Sequence, residues 1–77
     1  ITVNAIAPGA TDTPLNAKSY TPQVREAYEK RISLGHIADP SEIGDAAVFL
    51  ASDASRYMTG HELLVDGGLR ALNARPV

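Results

Sequence analysis

Two apolar runs in the chain have the composition of buried β-strands. The first reaches from Ile1 to Ala7, where β-branched residues are combined with small alanines that suit close packing. Pro8 cannot donate to a strand ladder, so we expect the strand to end there. The second run reaches from His61 to Val65 and holds three contiguous apolar residues, as in strands that are covered on both faces.

A first helix is predicted between the two strands. Thr21 suits its N-cap, Pro22 its first turn and Gly35 its end. Its apolar face consists of Val24, Ala27, Tyr28 and Ile32. Opposite charges at four-residue spacing lie on the other side, in the pairs Arg25/Glu29 and Glu26/Lys30. This pattern is typical of a surface helix of about three turns.

A second helix begins with the clearest local signal in the chain. Asp39 suits the N-cap, Pro40 the first helical position, and Glu42 completes a capping box. The helix is expected to run to Ala51, and apolar residues cover more than one stripe of it: Ile43, Ala46, Ala47, Val48, Phe49 and Leu50. We therefore expect its own sheet on one side and a second subunit on the other. Gly44 would allow another backbone to approach closely, which would justify its cost inside a helix.

Composition narrows the possible classes of protein. The chain has 77 residues, no cysteine and a formal net charge of -2. A chain this short buries only about 60% of its unfolded surface, and no disulfide or thiolate metal site compensates. The balanced charge argues against nucleic-acid and membrane partners, and no apolar run approaches the ~20 residues of a membrane span. Without a signal peptide we expect a cytoplasmic protein, and because the chain opens inside a strand we expect a fragment of a longer one. The tail from residue 69 onward has no clear pattern.

Polar side chains gather where the first strand ends. Thr11, Asp12 and Thr13 closely follow Pro8 and Gly9, at the carboxyl end of a predicted parallel strand. Ligands bind at this edge in open α/β sheets. Gly9 is expected to adopt a positive φ and to let the backbone come close to a ligand. An ordinary strand–loop junction would have the same composition, since Pro-Gly is common in turns.

Four stretches of the sequence share their order and spacing with one known family. The first is the pattern Asn4-x-x-x-Pro8-Gly9-x-x-x-Thr13, and the others cover residues 35–43, 49–53 and 59–68. Together they resemble the last third of the short-chain dehydrogenase/reductase family. The resemblance implies an α/β fold, namely the C-terminal part of a Rossmann-like doubly wound parallel sheet. The chain would hold the last two strands of that sheet and the helices between them.

The resemblance also implies a cofactor site for NAD or NADP. Its residues here would be Pro8, Gly9, Ala10, Thr11 and Thr13. The backbone of Thr11 would meet the nicotinamide carboxamide, and the Thr13 hydroxyl would bind a carboxamide or phosphate oxygen. Residues 14–38 would form a substrate lid and residues 39–68 the last helix and last strand. Leu15 in the lid either covers a ligand or packs onto the body of the protein.

The family's catalytic residues have no counterpart in this chain. Its serine, tyrosine and lysine, and its glycine-rich turn, would lie in an N-terminal part, in the same chain or in a cleaved companion. Tyr20, Tyr28 and Tyr57 lack a lysine four residues later, so we expect no catalytic residue here, and no metal site. His36 stands where the family usually has arginine, and we expect a surface histidine near a helix start.

The resemblance implies hydride transfer between nicotinamide and a small alcohol or carbonyl compound, such as a sugar or polyol. It further implies a homo-oligomer, a tetramer, in which Pro40 to Ala51 and His61 to Val65 pack against their copies. Two alternatives stay open. The chain could be a structural or assembly piece without chemistry of its own, or part of a 3-oxoacyl-thioester reductase.

Overall fold

The structure, a computed structural model, describes residues 1–70 and contains two short strands and two helices. In chain order they are β1 (Ala5–Pro8), α1 (Pro22–Arg31), α2 (Pro40–Ala51) and β2 (Glu62–Val65). One turn of 3-10 helix at Pro14–Asn16 precedes α1, and another at Asp53–Ser55 follows α2. The remainder of the tail, residues 71–77, lies outside the described residues.

The two strands pair in parallel, which confirms the predicted strand–helix–strand arrangement. Ala5 lies opposite Glu62 and Pro8 opposite Val65. β1 starts later than the predicted Ile1. At its amino end the Gly60 N–H donates to the Val3 carbonyl at 2.7 Å, and side-chain hydrogen bonds join the two segments beside this bond.

Thr59 and Asn4 provide those side-chain bonds. The Val3 N–H donates to Thr59 Oγ1 at 3.1 Å, and the Asn4 amide donates to the Met58 carbonyl at 3.1 Å. Asn4 Oδ1 also accepts from the His61 N–H at 3.1 Å, and β2 begins at Glu62, one residue after the predicted His61. Asn4, the first residue of the recognised pattern, thus fastens the turn before β2.

Both helices begin where the sequence predicts. Thr21 Oγ1 accepts from the Val24 N–H at the start of α1, and α2 carries the complete capping box of Asp39 and Glu42. α1 ends at Arg31, earlier than Gly35 suggested. Gly35 has a φ of +84° and closes the following turn, where its N–H donates to the Ile32 carbonyl at 2.8 Å.

The core of the described residues is small. Ile32 and Ile37 are the buried apolar side chains, and Ser55 is the buried polar one. By contrast, Val48 on α2 is 69% exposed and Leu64 on β2 is 41% exposed. The described part is about 15 Å thick along its shortest axis, so it forms a slab with bare apolar faces. Within residues 1–70, no helix has the length and apolar character needed to cross a membrane.

Candidate functional site

The loop of residues 9–13 leaves β1 at the carboxyl edge of the sheet and is held from two sides. The Gly9 N–H donates to the Val65 carbonyl at 2.9 Å, which adds one more rung to the ladder. Beyond it, the loop pairs with the segment before α2: the Asp12 N–H donates to the Ala38 carbonyl at 2.8 Å, and the Ala38 N–H donates to the Ala10 carbonyl at 3.0 Å. Its backbone is therefore fixed by β2 and by Ala38.

Gly9 is required for a different reason than the sequence suggested. The predicted positive φ is wrong, because Gly9 is not among the glycines with left-handed backbone. A Cβ built on Gly9 would lie 2.6 Å from Asp66 Cβ and 2.8 Å from Asp66 Cα. The close approach is thus to Asp66, the residue directly after β2.

Asp66 is a structural residue that the sequence reasoning missed. Its carboxylate accepts from the Gly68 N–H at 3.0 Å and from the Arg70 N–H at 2.9 Å. Gly67 has a φ of +63° and packs so closely on Ile32 that a Cβ would come within 2.7 Å of the Ile32 methyl. The Asp-Gly-Gly run was the available signal, since a carboxylate before two glycines is typical of a turn that the aspartate caps.

Thr11 uses its polar groups unequally. Its hydroxyl donates to the Gly9 carbonyl at 2.9 Å, and its own carbonyl accepts from the Asn16 amide at 3.0 Å. Thr11 lies opposite Ala38 in a parallel bridge, where the residues on either side of it supply the hydrogen bonds. The Thr11 N–H makes no hydrogen bond within the described chain and is available as a donor.

Thr13 is also left with an available group. It occupies the N-cap of the short helix Pro14–Asn16, yet its hydroxyl makes no capping bond. Its carbonyl accepts from the Asn16 N–H at 3.0 Å, so the backbone is fixed while the half-buried hydroxyl keeps its donor and acceptor capacity within residues 1–70.

An open groove of about 500 Å³ brings most of the predicted site residues together. One wall contains Pro8, Gly9, Thr11, Thr13 and Leu15. The opposite wall is the first two turns of α2, with Pro40, Ile43, Gly44 and Ala47. Ala10 lines a separate cavity of about 100 Å³ beside Asp66. Leu15 is 90% exposed and therefore does not pack onto the described part of the protein.

An ion pair joins the loop to helix α1. Arg25 donates to both Asp12 carboxylate oxygens, at 3.1 and 3.3 Å, and lies 5.9 Å from the centre of the Tyr20 ring. The bond to Asp12 raises the pKa of Arg25 above its ordinary value. The expected Arg25/Glu29 pair is wrong because Arg25 turns to Asp12.

The start of α2 is rich in charge, and Glu42 lines the smaller cavity together with His36 and Asp66. The Asp39 N–H donates to the Glu42 carboxylate at 2.8 Å, and this bond, with the nearby His36 ring, lowers the pKa of Glu42. Hydrogen bonds from Ser41 lower the pKa of Asp39. His36 is exposed and 3.4 Å from Glu42, which confirms a surface histidine at a helix start. Within the described range, no group of three or more acidic, histidine or cysteine side chains could hold a metal ion.

Known proteins are similar to this chain along the part that the structure describes. The sequence model of the family described as Enoyl-(Acyl carrier protein) reductase matches residues 1–70. The chain is 49% identical over 70 residues to 3beta-hydroxysteroid dehydrogenase 1 of Eggerthella lenta, and 50% identical over 70 residues to L-rhamnose-1-dehydrogenase of Scheffersomyces stipitis. Each match covers 90% of this chain and 27% of the relative. The chain therefore spans about a quarter of the length of these curated relatives.

A solved structure gives the same picture. The crystal structure of a gluconate 5-dehydrogenase from Burkholderia cenocepacia J2315, in complex with NADP and tartrate, superposes with a TM-score of 0.83 at 37% identity. The superposition covers 91% of this chain and 28% of that one. This likeness confirms the predicted α/β fold class.

Proposed function

Because the chain belongs to the short-chain dehydrogenase/reductase family, we propose that it is the C-terminal quarter of an NAD(P)-dependent oxidoreductase. In this proposal the loop of residues 9–13 forms the nicotinamide side of the cofactor site. The bound cofactor would supply hydride exchange with a small alcohol or carbonyl compound. The chain's own residues would bind and orient it, and the N-terminal part of the same enzyme would complete the site.

The observation that carries this proposal is the pair of free donors on the groove wall. The Thr11 N–H and the Thr13 hydroxyl lack partners within residues 1–70 and belong to a loop whose backbone is otherwise fixed. A nicotinamide carboxamide offers an oxygen acceptor that the Thr11 N–H can bind. Donors held in place by the fold cost little ordering when the ligand binds, and a fixed carboxamide keeps the ring from turning over.

The Thr13 hydroxyl provides the second anchor. It can donate to the carboxamide or to a phosphate oxygen of the cofactor. Pro8 and Gly9 would form the wall beside the ring, since both line the same groove. The structural need for Gly9 near Asp66 supports this role, because any shift of that backbone would displace Thr11 and Thr13 with it.

We further propose a sugar, a polyol or a similarly small polar alcohol as substrate. The names of two relatives, L-rhamnose-1-dehydrogenase and gluconate 5-dehydrogenase, support a sugar-like compound. Residues 14–38 would form the lid over it. Leu15 supports that role, since it is exposed at the rim of the groove and free to contact a ligand. A panel of sugars and polyols, with steroid and acyl-thioester compounds as competitors, tests this choice through kcat/KM.

The assembly we propose is a homotetramer in which α2 and β2 pack against their copies. Val48 and Leu64 support it, because both are apolar and exposed in the described chain. An apolar edge strand and an apolar helix face need cover, and a two-fold contact supplies it from the same surface on both subunits.

Thr13→Ala in the complete enzyme tests the cofactor site. One lost hydrogen bond is worth about 0.5–1.5 kcal/mol, which corresponds to a rise of roughly 2- to 12-fold in the cofactor KM or an equal loss in kcat. Thr2→Ala is the matched control, because Thr2 is exposed and its hydroxyl also makes no hydrogen bond to the described residues. Thermal unfolding should be nearly the same for both variants. A Thr13→Ala enzyme that titrates and turns over like its parent would refute the assignment.

A further inference from the structure

We infer that the ion pair between Asp12 and Arg25 positions helix α1 on the loop of residues 9–13 and thereby sets how long the cofactor stays bound. The inference rests on the proposed function, since it assigns a kinetic role at the same site. Asp12 and Arg25 are positioning residues, because they act through Thr11 and Thr13.

The geometry of the pair is specific. Arg25 Nη1 and Nη2 each donate to a different Asp12 carboxylate oxygen, at 3.3 and 3.1 Å, which is the parallel two-bond arrangement of a guanidinium and a carboxylate. The two side chains are only 35% and 48% exposed. Arg25 also lies over the Tyr20 ring, and that ring meets Tyr28 edge-on with centroids 5.6 Å apart. The Arg25 guanidinium is therefore held by the Tyr20 ring as well as by the Asp12 carboxylate.

Helix α1 has few other attachments. None of its residues is buried in the described chain, and Val24 on its apolar face is 38% exposed. Within residues 1–70, Arg25 makes the only side-chain hydrogen bonds that join α1 to anything other than its own cap. The buried C-cap residue Ile32 fixes the carboxyl end of α1. The ion pair is therefore the side-chain contact that opening of the amino-terminal part of α1 must break.

Asp12 links the ion pair to the groups that are proposed to bind the cofactor. It stands between Thr11 and Thr13, and its N–H donates to the Ala38 carbonyl at 2.8 Å. With its backbone held by Ala38 and its carboxylate held by Arg25, Asp12 has little freedom to rotate. Opening of α1 would release the carboxylate and loosen the donors on either side of it.

The simplest competing explanation is an ordinary surface ion pair without a role, since such pairs contribute little. The same helix contains one for comparison. Glu26 and Lys30 form an ion pair of 3.2 Å along α1, with side chains 67% and 75% exposed. This pair also joins an acidic and a basic side chain on α1, but it makes no contact with the loop. Glu26→Gln is therefore the matched control.

The test uses the complete enzyme and stopped-flow release of NADH or NADPH, whichever the parent binds. Arg25→Gln and Asp12→Asn should each speed release by about 3- to 10-fold, and the double variant by no more than the larger single effect. Arg25→Lys keeps the charge but loses the two parallel hydrogen bonds of the guanidinium. Its release rate should therefore lie between those of the parent and Arg25→Gln. Release from the parent should speed up with added salt, whereas release from Arg25→Gln should depend less on salt. Glu26→Gln should match its parent.

Hydrogen exchange of the cofactor-free enzyme supplies a readout that does not need activity. The amides of Pro22–Arg31 should exchange faster in Arg25→Gln than in Glu26→Gln. Faster exchange with unchanged cofactor release would mean that the pair is only structural and would overturn the inference. Unchanged exchange would overturn it as well. A parent that binds neither nucleotide overturns the proposed function, and this inference with it, whereas a parent that releases cofactor at the same rate as Arg25→Gln overturns this inference alone.

Discussion

Helix α2 and the loop of residues 9–13 face each other across one groove, yet they are specified in opposite ways. The ends of α2 are set by neighbouring residues, since the capping box of Asp39 and Glu42 starts it and Ser52 follows its last turn. The loop is set by residues far along the chain, chiefly Val65, Asp66 and Ala38. Within residues 1–70, α2 has capped ends and exposed apolar side chains, whereas the loop has a fixed backbone and two donors without a partner. Neighbouring residues are thus enough to specify the helix on one side of the groove, whereas the positions of the binding groups on the other side depend on residues distant in sequence.

The contrast between α2 and the loop is expected to be largest in the isolated chain. Only two apolar side chains are buried in the part of the chain that the structure describes, and this burial does not offset the entropy of ordering the chain. We expect the purified 77-residue chain to be inactive and to show no cooperative thermal transition. Residual helix should be concentrated in α2, where the caps are local, and the loop should lose its structure. Circular dichroism and NMR chemical shifts test this. A monomeric chain with a sharp transition would contradict it.

Val48→Asp is expected to have the next largest effect. It tests whether a second subunit covers the exposed face of α2. Burying a valine is worth about 1.5–3 kcal/mol, and two-fold symmetry uses each such contact twice. Adding a charge there should split the complete protein into smaller species at micromolar concentration, as measured by sedimentation. Phe49 is only 38% exposed, so Val48 is the better position.

Gln23→Glu is the control for that substitution. It adds the same charge at an exposed position of α1, outside the proposed interface, and should leave the assembly unchanged. If the parent itself sediments as a monomer, the proposed tetramer is wrong.

Gly9→Ala tests the loop side of the comparison. The added methyl would lie 2.6 Å from Asp66 Cβ and 2.8 Å from Asp66 Cα, so a backbone must move. Overpacking of this kind costs about 1–3 kcal/mol of the free energy of unfolding. Thermal unfolding of the complete protein should show this loss, together with a higher cofactor KM. An unchanged midpoint would mean that the two strand ends do not meet as described.

Gly44→Ala adds the same methyl to α2 and should have the smallest effect. Apart from the neighbouring residues and backbone of its own helix, no described atom lies within 4 Å of the Cβ that alanine would add, so the described contacts predict a gain of up to about 1 kcal/mol from helix propensity. A loss at Gly44 as large as the loss at Gly9 would reverse the comparison. It would mean that another segment approaches the helix there, as the presence of glycine first suggested.

The same contrast explains how much the sequence could predict. The bounds of α2, Pro40–Ala51, were predicted to the residue because the cap signals are adjacent in sequence. The sequence suggests a positive φ as the reason for glycine at position 9, because the true cause, Asp66, lies far along the chain, directly after β2. Arg25 was assigned to Glu29 for the same reason, since spacing reveals partners within a helix and not across the fold.

The candidate site shows the limits of prediction in a second way. The residues of the groove wall were named through family resemblance, and the structure brings Pro8, Gly9, Thr11 and Thr13 together. Which of their atoms lack a hydrogen-bond partner among the described residues was not predictable. The Thr11 N–H is available because of a bridge to Ala38, and that pairing depends on how the segment before α2 folds back.

The dependence of the loop on β2 has a consequence for the order of events during synthesis. Asn4 and His61, which bond to each other, are 57 residues apart, and Asp66 comes later still. At translation rates of about 5–20 residues per second, β1 would wait several seconds before the strand that supports it is made. During that interval the loop has no partner to shape it, and the edge of β1 beside it is unpaired. The nascent protein should therefore acquire its proposed cofactor site late, and a stall before Glu62 would leave a chain that has most of its helices but no site.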